Sequence, residues 1–457
     1  MISLAVNETI ARAVEVLREN DHGDYTIPTK GLYPFQWNWD SCLTALGLAH
    51  YDEARAWTEI ETLFAHQWPD GMVPHIVFHV LNDSYFPGPE VWRTNRPTAT
   101  SGITQPAVAG FAVRRLFDRA KDKKLAAERA RALLPKIDAW HRWFYENRDP
   151  RGEGLVAIIH PWESGRDNSI DWDDAFERVP TEGVEPYTRR DTLHADPAHR
   201  PTKAQYDRYL WLLQHFRALG WDNAKLHDAS PFQIVDPGFN AILIRSAADL
   251  ADLAETLGEM EIAKANRARA EKGLLAMERL WSDAHGQYLC LDRVIGKLVD
   301  SASVGGILPV FSAIPKPRIA AIAATIERIA GKARYIVPSH DLDDPRFDAK
   351  RYWRGPVWLV VNYMIADGLA ASGHTQVAQR ITRSSVDLIA ESGFAEYYDP
   401  LSGEPLGGGR FTWTAAMVIE FLRVRDESNG VLAKDPISAC HPEWPSGCCR
   451  QPALLPP

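Results

Sequence analysis

Five carboxylates stand within fifteen residues in HPWESGRDNSIDWDD, His160 to Asp174: Glu163, Asp167, Asp171, Asp173 and Asp174, interleaved with Trp162 and Trp172. A second acidic stretch, ESGFAEYYDPLSGEPLGGGRFTW, carries Glu391, Glu396, Asp399 and Glu404. Two carboxyl groups can divide the work of glycoside hydrolysis. One, protonated, donates to the leaving oxygen, while the other, ionised, attacks the sugar or activates a water. Spacing alone leaves open which acids would form such a pair, and a solvated loop acid is the commoner fate of each taken singly.

Aromatic residues recur beside polar ones in YPFQWNWD (33–40), HQWPDGMVPHIVFH (66–79), RYWRGPVW (351–358) and the two acidic stretches. Any one tryptophan is most simply packed between helices. Five such clusters, in a chain with sixteen tryptophans, point instead to a sugar surface, where rings meet the C–H faces and amides, carboxylates or guanidinium groups take the hydroxyls. Other motifs carry less. His75 and His79 have i, i+4 spacing without the glutamate of a zinc-protease motif, so they read as pocket-lining or packed histidines and no metal is expected. The run GGGR at 407–410 lacks the lysine and hydroxyl residue of a phosphate loop and reads as a turn into a helix.

The elements that must position these groups are helical. Apolar residues recur at i, i+3 and i+4 over 4–19, 39–49, 51–67, 103–119, 123–147, 237–257, 259–281, 300–310, 316–330, 356–371, 374–391 and 412–424, with few alternating runs. Stretches such as AAMVIEFL and GPVWLVVNYMIADGLA are apolar nearly all round, whereas KLAAERARALLPKIDAWHRWF is charged on one face. Alternation of a buried helix with an amphipathic one, six times over, predicts an all-α fold, an (α/α)6 barrel; two stacked α-domains are the alternative. Long connections at 68–102, 148–202 and 331–355 would gather at one mouth of the barrel.

Composition bounds the rest. The 457 residues carry a net charge of −9 with 45% hydrophobic and 24% charged residues, and no basic stripe, so nucleic acid is not an expected partner. The N-terminus reads as an amphipathic helix and not as a signal peptide, and no later stretch is apolar and long enough for a membrane. Five cysteines without regular spacing suggest a reducing, cytoplasmic setting. A single catalytic domain is expected over 1–430, with 68–102 and 148–202 as active-site insertions; 431–457, holding Cys440, Cys448 and Cys449, is expected to be a disordered tail. Oligomeric state is not legible.

The ordered set QWNWDSCLTALGL, LFAHQWPDGMVPH, HPWESGRDNS, RYWRGPVWLVVNY and FAEYYDPLSGEPLGGGRFTWTAA resembles glycoside hydrolase family 63 over about residues 30–425, in particular its compact bacterial members that hydrolyse glucosylglycerate or mannosylglycerate. The resemblance implies an (α/α)6 barrel and an inverting mechanism without a cofactor. It implies Asp167 as general acid and Glu396 as general base. Asp40 would contact the sugar, Trp37, Trp162 and Trp353 would wall its site, Gln105 and Tyr85 would lie near the acceptor moiety, and Arg200 with Tyr206 would grip a glycerate carboxylate. One departure bears on mechanism: Arg166 immediately precedes the implied acid and would depress its pKa unless it points away. Functions left open beside this one are an α-glucosidase acting on disaccharides or oligosaccharides, a sugar epimerase or isomerase, and a non-catalytic sugar-binding protein.

Overall fold

The alternation of apolar and one-sided helices resolves into two concentric rings. The structure, a computed structural model, describes residues 2–193 and 195–428; Cys440, Cys448, Cys449 and the expected tail at 431–457 lie outside them. The inner ring consists of α2 (Asn38–Leu48), α4 (Ala109–Arg119), α7 (Pro237–Thr256), α9 (Val304–Ile307, tightening to a 3₁₀ turn at Leu308–Phe311), α11 (Leu359–Ala371) and α13 (Thr412–Ser428), each packed on the next and α13 closing on α2. The outer ring is α1 (Ile2–Glu19), α3 (Glu53–Ala65), α5 (Lys123–Arg148), α8 (Met260–Met277), α10 (Lys316–Ala330) and α12 (Thr375–Ser392). This is the (α/α)6 barrel expected, and the twelve helices coincide with the twelve predicted.

Inner and outer positions follow from side chains. Every residue of α2 is buried, and its leucines, each worth about 1.5–3 kcal/mol when fully withdrawn from water, face neighbours on all sides. The ring closes tightly because Gly47 of α2 meets α13: a Cβ there would stand 2.6 Å from Ala416. Outer helices start on polar caps. Asp52 accepts from the Arg55 N–H at 2.9 Å to open α3, and Asp122 accepts from Lys124 and Leu125 to open α5.

Several expectations change. The helix expected from 103 begins only at Ala109, because Pro106 disfavours helical geometry at Gln105 and residues 99–103 run extended beside 75–78, with Ser101 N–H donating to the Ile76 carbonyl and His75 N–H to that of Ile103. An additional helix, α6 (Lys203–Ala218), opens on a capping box of Thr202 and Gln205 just after the long 148–202 connection. Strands among the described residues are two to five residues long and clip loops together: Gln36–Trp37 pairs with Ile76–Val77, and Ala395–Tyr398 with Pro405–Gly409. The glycines of GGGR are therefore the end of a returning strand, after which Arg410 (φ 48°) turns the chain into the helix, and HIVFH, within the long connection expected at 68–102, is extended. Among the described residues no helix is long and apolar enough to cross a membrane.

Candidate active site

The N-terminal ends of the inner helices surround an open-mouthed cavity of about 820 Å³. Trp37, Trp39 and Asp40 reach it from the start of α2, Gln105 from the strap before α4, and Trp413 from the start of α13. The 148–202 connection contributes Trp162, Asp167, Asp191 and Arg200, and the hairpin before α13 contributes Glu396. Of the ten residues singled out in the sequence, nine line this cavity: Asp40, Trp37, Trp162, Tyr85, Gln105, Asp167, Arg200, Tyr206 and Glu396.

Trp353 does not line it. Tyr352 has a left-handed backbone (φ 40°), so the chain turns there and adjacent side chains diverge. Tyr352 takes the cavity wall, and Trp353 stacks face to face on Trp358 with centroids 3.8 Å apart, behind Trp39. His75 lines the cavity, whereas His79 packs against Tyr25 and bonds the Gln36 side-chain oxygen at 2.8 Å. Among the described residues no cluster of three or more His, Cys, Asp or Glu side chains could hold a metal ion.

The fold sorts the candidate acids. Glu163 is locked to Arg148 at 2.7 Å, Asp171 to Arg166 at 3.0 Å, Asp173 to Arg354 at 2.8 Å, Glu391 to Arg334 at 2.6 Å and Glu404 to Lys350 at 2.5 Å. Asp399 closes a turn by accepting from the Leu401 N–H at 2.7 Å, and Asp174 is exposed. Asp167 and Glu396 are the two of the nine that face the cavity. The cation next in sequence to Asp167 is engaged elsewhere: Arg166 is 3% exposed and bonds Asp171 and Asp236.

Their environments differ. Burial pushes the Asp167 carboxyl up to about 7; the Arg200 charge opposes this and the Glu396 charge assists it. Burial also raises Glu396, but Arg200, the Gly408 N–H and the Tyr33 hydroxyl favour its ionised form. Tyr33 donates to Glu396 Oε1 at 3.0 Å and the Gly408 N–H to Oε2 at 3.0 Å. Gly407 permits this approach: φ is +71°, and a Cβ there would stand 2.3 Å from Glu396 Oε2. Asp40, buried beside both carboxyls, is raised well above the usual carboxylate range by burial and then by the Glu396 charge.

Arg200 ties the site together. Its Nε donates to Asp191 at 3.2 Å, its Nη2 to the Tyr33 hydroxyl at 3.2 Å, and its guanidinium lies 4.1 Å over the Tyr352 ring. Because the Tyr33 proton goes to Glu396, the Tyr352 hydroxyl, 3.1 Å away, donates to Tyr33. Arg200 Nη1, buried, has no hydrogen-bond partner among the described residues; a ligand carboxylate in the cavity would satisfy such a donor. Tyr206 stands nearby, but its hydroxyl donates to the Phe86 carbonyl at 3.1 Å, so it is committed until that bond is exchanged. Arg189, adjacent in sequence to the cavity-lining Arg190, is held by Asp191 and lies 4.5 Å over the Tyr206 ring. Sequence reasoning missed Tyr33, Trp39, Asp191, Tyr352 and Trp413. Tyr33, Trp39, Tyr352 and Trp413 lay inside clusters already recognised as aromatic and polar. Asp191 carried no motif, and only its pairing with Arg200 marks it.

The mannosylglycerate hydrolase MGH1-like glycoside hydrolase domain matches residues 33–414 of this chain. The chain is 50% identical over 410 residues to mannosylglycerate hydrolase MGH1 of Selaginella moellendorffii, covering 89% of this chain and 84% of that one. It is 34% identical over 440 residues to glucosylglycerate hydrolase of Mycolicibacterium hassiacum, covering 92% and 99%. Among solved structures it superposes on family 63 mannosylglycerate hydrolase from Thermus thermophilus, in complex with Tris and D-glycerate, with a TM-score of 0.88 and 46% identity, covering 91% of this chain and all of that one.

Proposed function

Because the chain belongs to the mannosylglycerate hydrolase MGH1-like glycoside hydrolases of family 63, we propose that it is an inverting α-glycosidase cleaving 2-O-α-mannosylglycerate or 2-O-α-glucosylglycerate to hexose and glycerate. The observation that carries this reading is the contrast between its two cavity-facing catalytic candidates. Asp167, raised to about 7 and without a hydrogen bond from another side chain among the described residues, is suited to hold a proton near neutrality. Glu396, fed by two donors and the Arg200 charge, is suited to remain an acceptor.

In this mechanism Asp167 protonates the glycosidic oxygen as the bond to the anomeric carbon breaks. Glu396 takes a proton from a water that attacks the opposite face, so configuration inverts. That geometry asks for carboxyl groups about 6.5–9.5 Å apart, against about 5–5.5 Å for retention. Asp40 accepts sugar hydroxyls, the rings of Trp37 and Trp162 bound the sugar, and Tyr85 and Gln105 flank the glycerate. The glycerate carboxylate meets Arg200 Nη1, and Tyr206 joins it on releasing Phe86. The identities of 34–50% to enzymes named for both hexoses support a glycerate glycoside without choosing the sugar.

Proton NMR of the anomeric signals at early times, with mannosylglycerate, glucosylglycerate and α-linked glucose disaccharides as substrates, tests the reading. Release of β-hexose from a glycerate glycoside is the expected result. First release of α-hexose would refute inversion, and activity confined to disaccharides would refute the carboxylate grip.

A further inference from the structure

Among the described residues the Asp167 carboxyl receives no hydrogen bond from another side chain, so its place in the cavity is set by its backbone. Trp172 Nε1 and the Tyr209 hydroxyl both donate to the Asp167 carbonyl at 3.0 Å. On its N-terminal side stands Arg166, whose own N–H donates to Ser164 Oγ at 2.9 Å and whose carbonyl accepts from the Ser169 N–H at 3.1 Å. The Arg166 guanidinium reaches away from the cavity into a buried nest. Nη1 donates to Asp171 at 3.0 Å and to Ser303 Oγ at 3.1 Å; Nη2 donates to Asp236 at 2.8 Å.

Two of these partners are helix caps. Asp236 caps α7 by accepting from the Gly238 N–H at 2.9 Å, and Ser303 caps α9 by accepting from the Gly305 N–H at 3.0 Å. One side chain thus fastens the loop to two staves of the inner ring at once. Gly305 makes room for it, since a Cβ there would fall 2.3 Å from Arg166 Nη2. Asp171 and Asp236, each 1% exposed, surround one positive charge with two negative ones. A cation placed next in sequence to the acid is thereby balanced locally and kept from favouring the ionised form of its neighbour.

We propose that Arg166 is a positioning residue for the general acid: its forked guanidinium holds the Asp167 loop on the caps of α7 and α9 and so sets where the proton is delivered. This rests on the reading of Asp167 as the acid. The fork is essential to the role, because a lysine ammonium keeps the charge but cannot present two fixed donor directions to two caps. The rival account is that Arg166 only neutralises buried carboxylates and supports the fold.

The leaving group separates the two accounts. Fluoride departs with little need for protonation, whereas the glycerate alkoxide needs it fully. Arg166→Lys and Gly305→Ala, the latter intruding on the guanidinium from the opposite side, would be compared with wild type on the glycerate glycoside and on the α-glycosyl fluoride of the same hexose. Asp167→Asn serves as reference. For a displacement on the ångström scale, kcat on the glycerate glycoside is expected to fall on the order of 10²-fold with KM nearly unchanged, and kcat on the fluoride by less than about tenfold. Equal losses on both substrates in a folded variant, or no loss on either, would overturn the positioning role. Should Arg166→Lys fail to fold, Gly305→Ala decides the matter by the same comparison. Asp167→Asn losing both substrates alike, or neither, would remove the acid assignment and the proposal with it; a selective loss there with an unselective one in the other two removes the proposal alone.

Discussion

Replacing Arg200 by methionine keeps much of the side-chain volume and removes the guanidinium that approaches Asp191, Tyr33 and the Tyr352 ring. Truncating one partner of a buried charged pair costs about 2–5 kcal/mol. The lower half of that range applies here, because Asp191 keeps Arg189 at 2.6 Å and is not left unpaired. A loss of about 2–3 kcal/mol in transition-state binding of a carboxylate-bearing substrate corresponds to roughly 30- to 150-fold in kcat/KM. A glycoside of glycerol, matched in shape but lacking the carboxylate, has no ion pair to lose and is expected to fall less than about tenfold, the remaining loss coming from a loosened Tyr33. The same substitution has a signed effect on pH. The Arg200 charge lowers the Asp167 pKa; removing it raises that pKa, so the acid stays protonated to higher pH and the alkaline limb of the residual activity moves upward. Steady-state rates for both substrates from about pH 5 to about pH 9, a range that takes in the usual region of maximal stability, would read all three effects. Equal losses for charged and neutral aglycones, or a downward move of the alkaline limb, would refute the assignment of Arg200.

In the wild-type protein kcat/KM is expected to decline as pH rises through about 7, where Asp167 loses its proton, and to decline on the acid side as Glu396 gains one; a rate that keeps rising to pH 9 would count against Asp167 as acid. Tyr33→Phe removes the 3.0 Å hydrogen bond to Glu396 and is expected to lower kcat about 5- to 30-fold, as for loss of about 1–2 kcal/mol, with little change in KM; an unchanged kcat would show that Tyr33 does not orient the base. Trp353→Ala empties a site that is 1% exposed and stacked on Trp358, and chemical denaturation is expected to register a loss of about 3–5 kcal/mol; a large rise in KM with stability intact would return Trp353 to the cavity wall.

The barrel was readable because its cause is local. Whether a helix is apolar all round or on one stripe depends on which residues recur every three or four positions, and that pattern alone separates α2 and α11 from α5 and α8. Chain order then supplies the alternation. The start of α4 was misplaced because the strap at 99–105 is held extended by backbone partners near residue 76, which no local pattern reveals. The glycines at 407–409 looked like a turn, since glycine's usual use is a turn, and their use against Glu396 depends on a strand pairing.

For the site, residue types in five clusters were enough to announce aromatic walls and paired acids, and the family resemblance named Asp167 and Glu396 among nine acids. Only the tertiary structure decides why those two remain free for chemistry. Each of Glu163, Asp171, Asp173, Glu391 and Glu404 meets a cation brought from elsewhere in the fold or from the next turn, and an ion pair is a matter of ångströms, not of sequence spacing. The same holds for burial, which raises Asp167, and for the left-handed turn at Tyr352, which exchanges one aromatic wall for its neighbour. Sequence alone determined which elements form and which chemistry is in reach; the closing of the ring determined which carboxyl, which ring and which guanidinium face the same small volume, because desolvation and charge act through space.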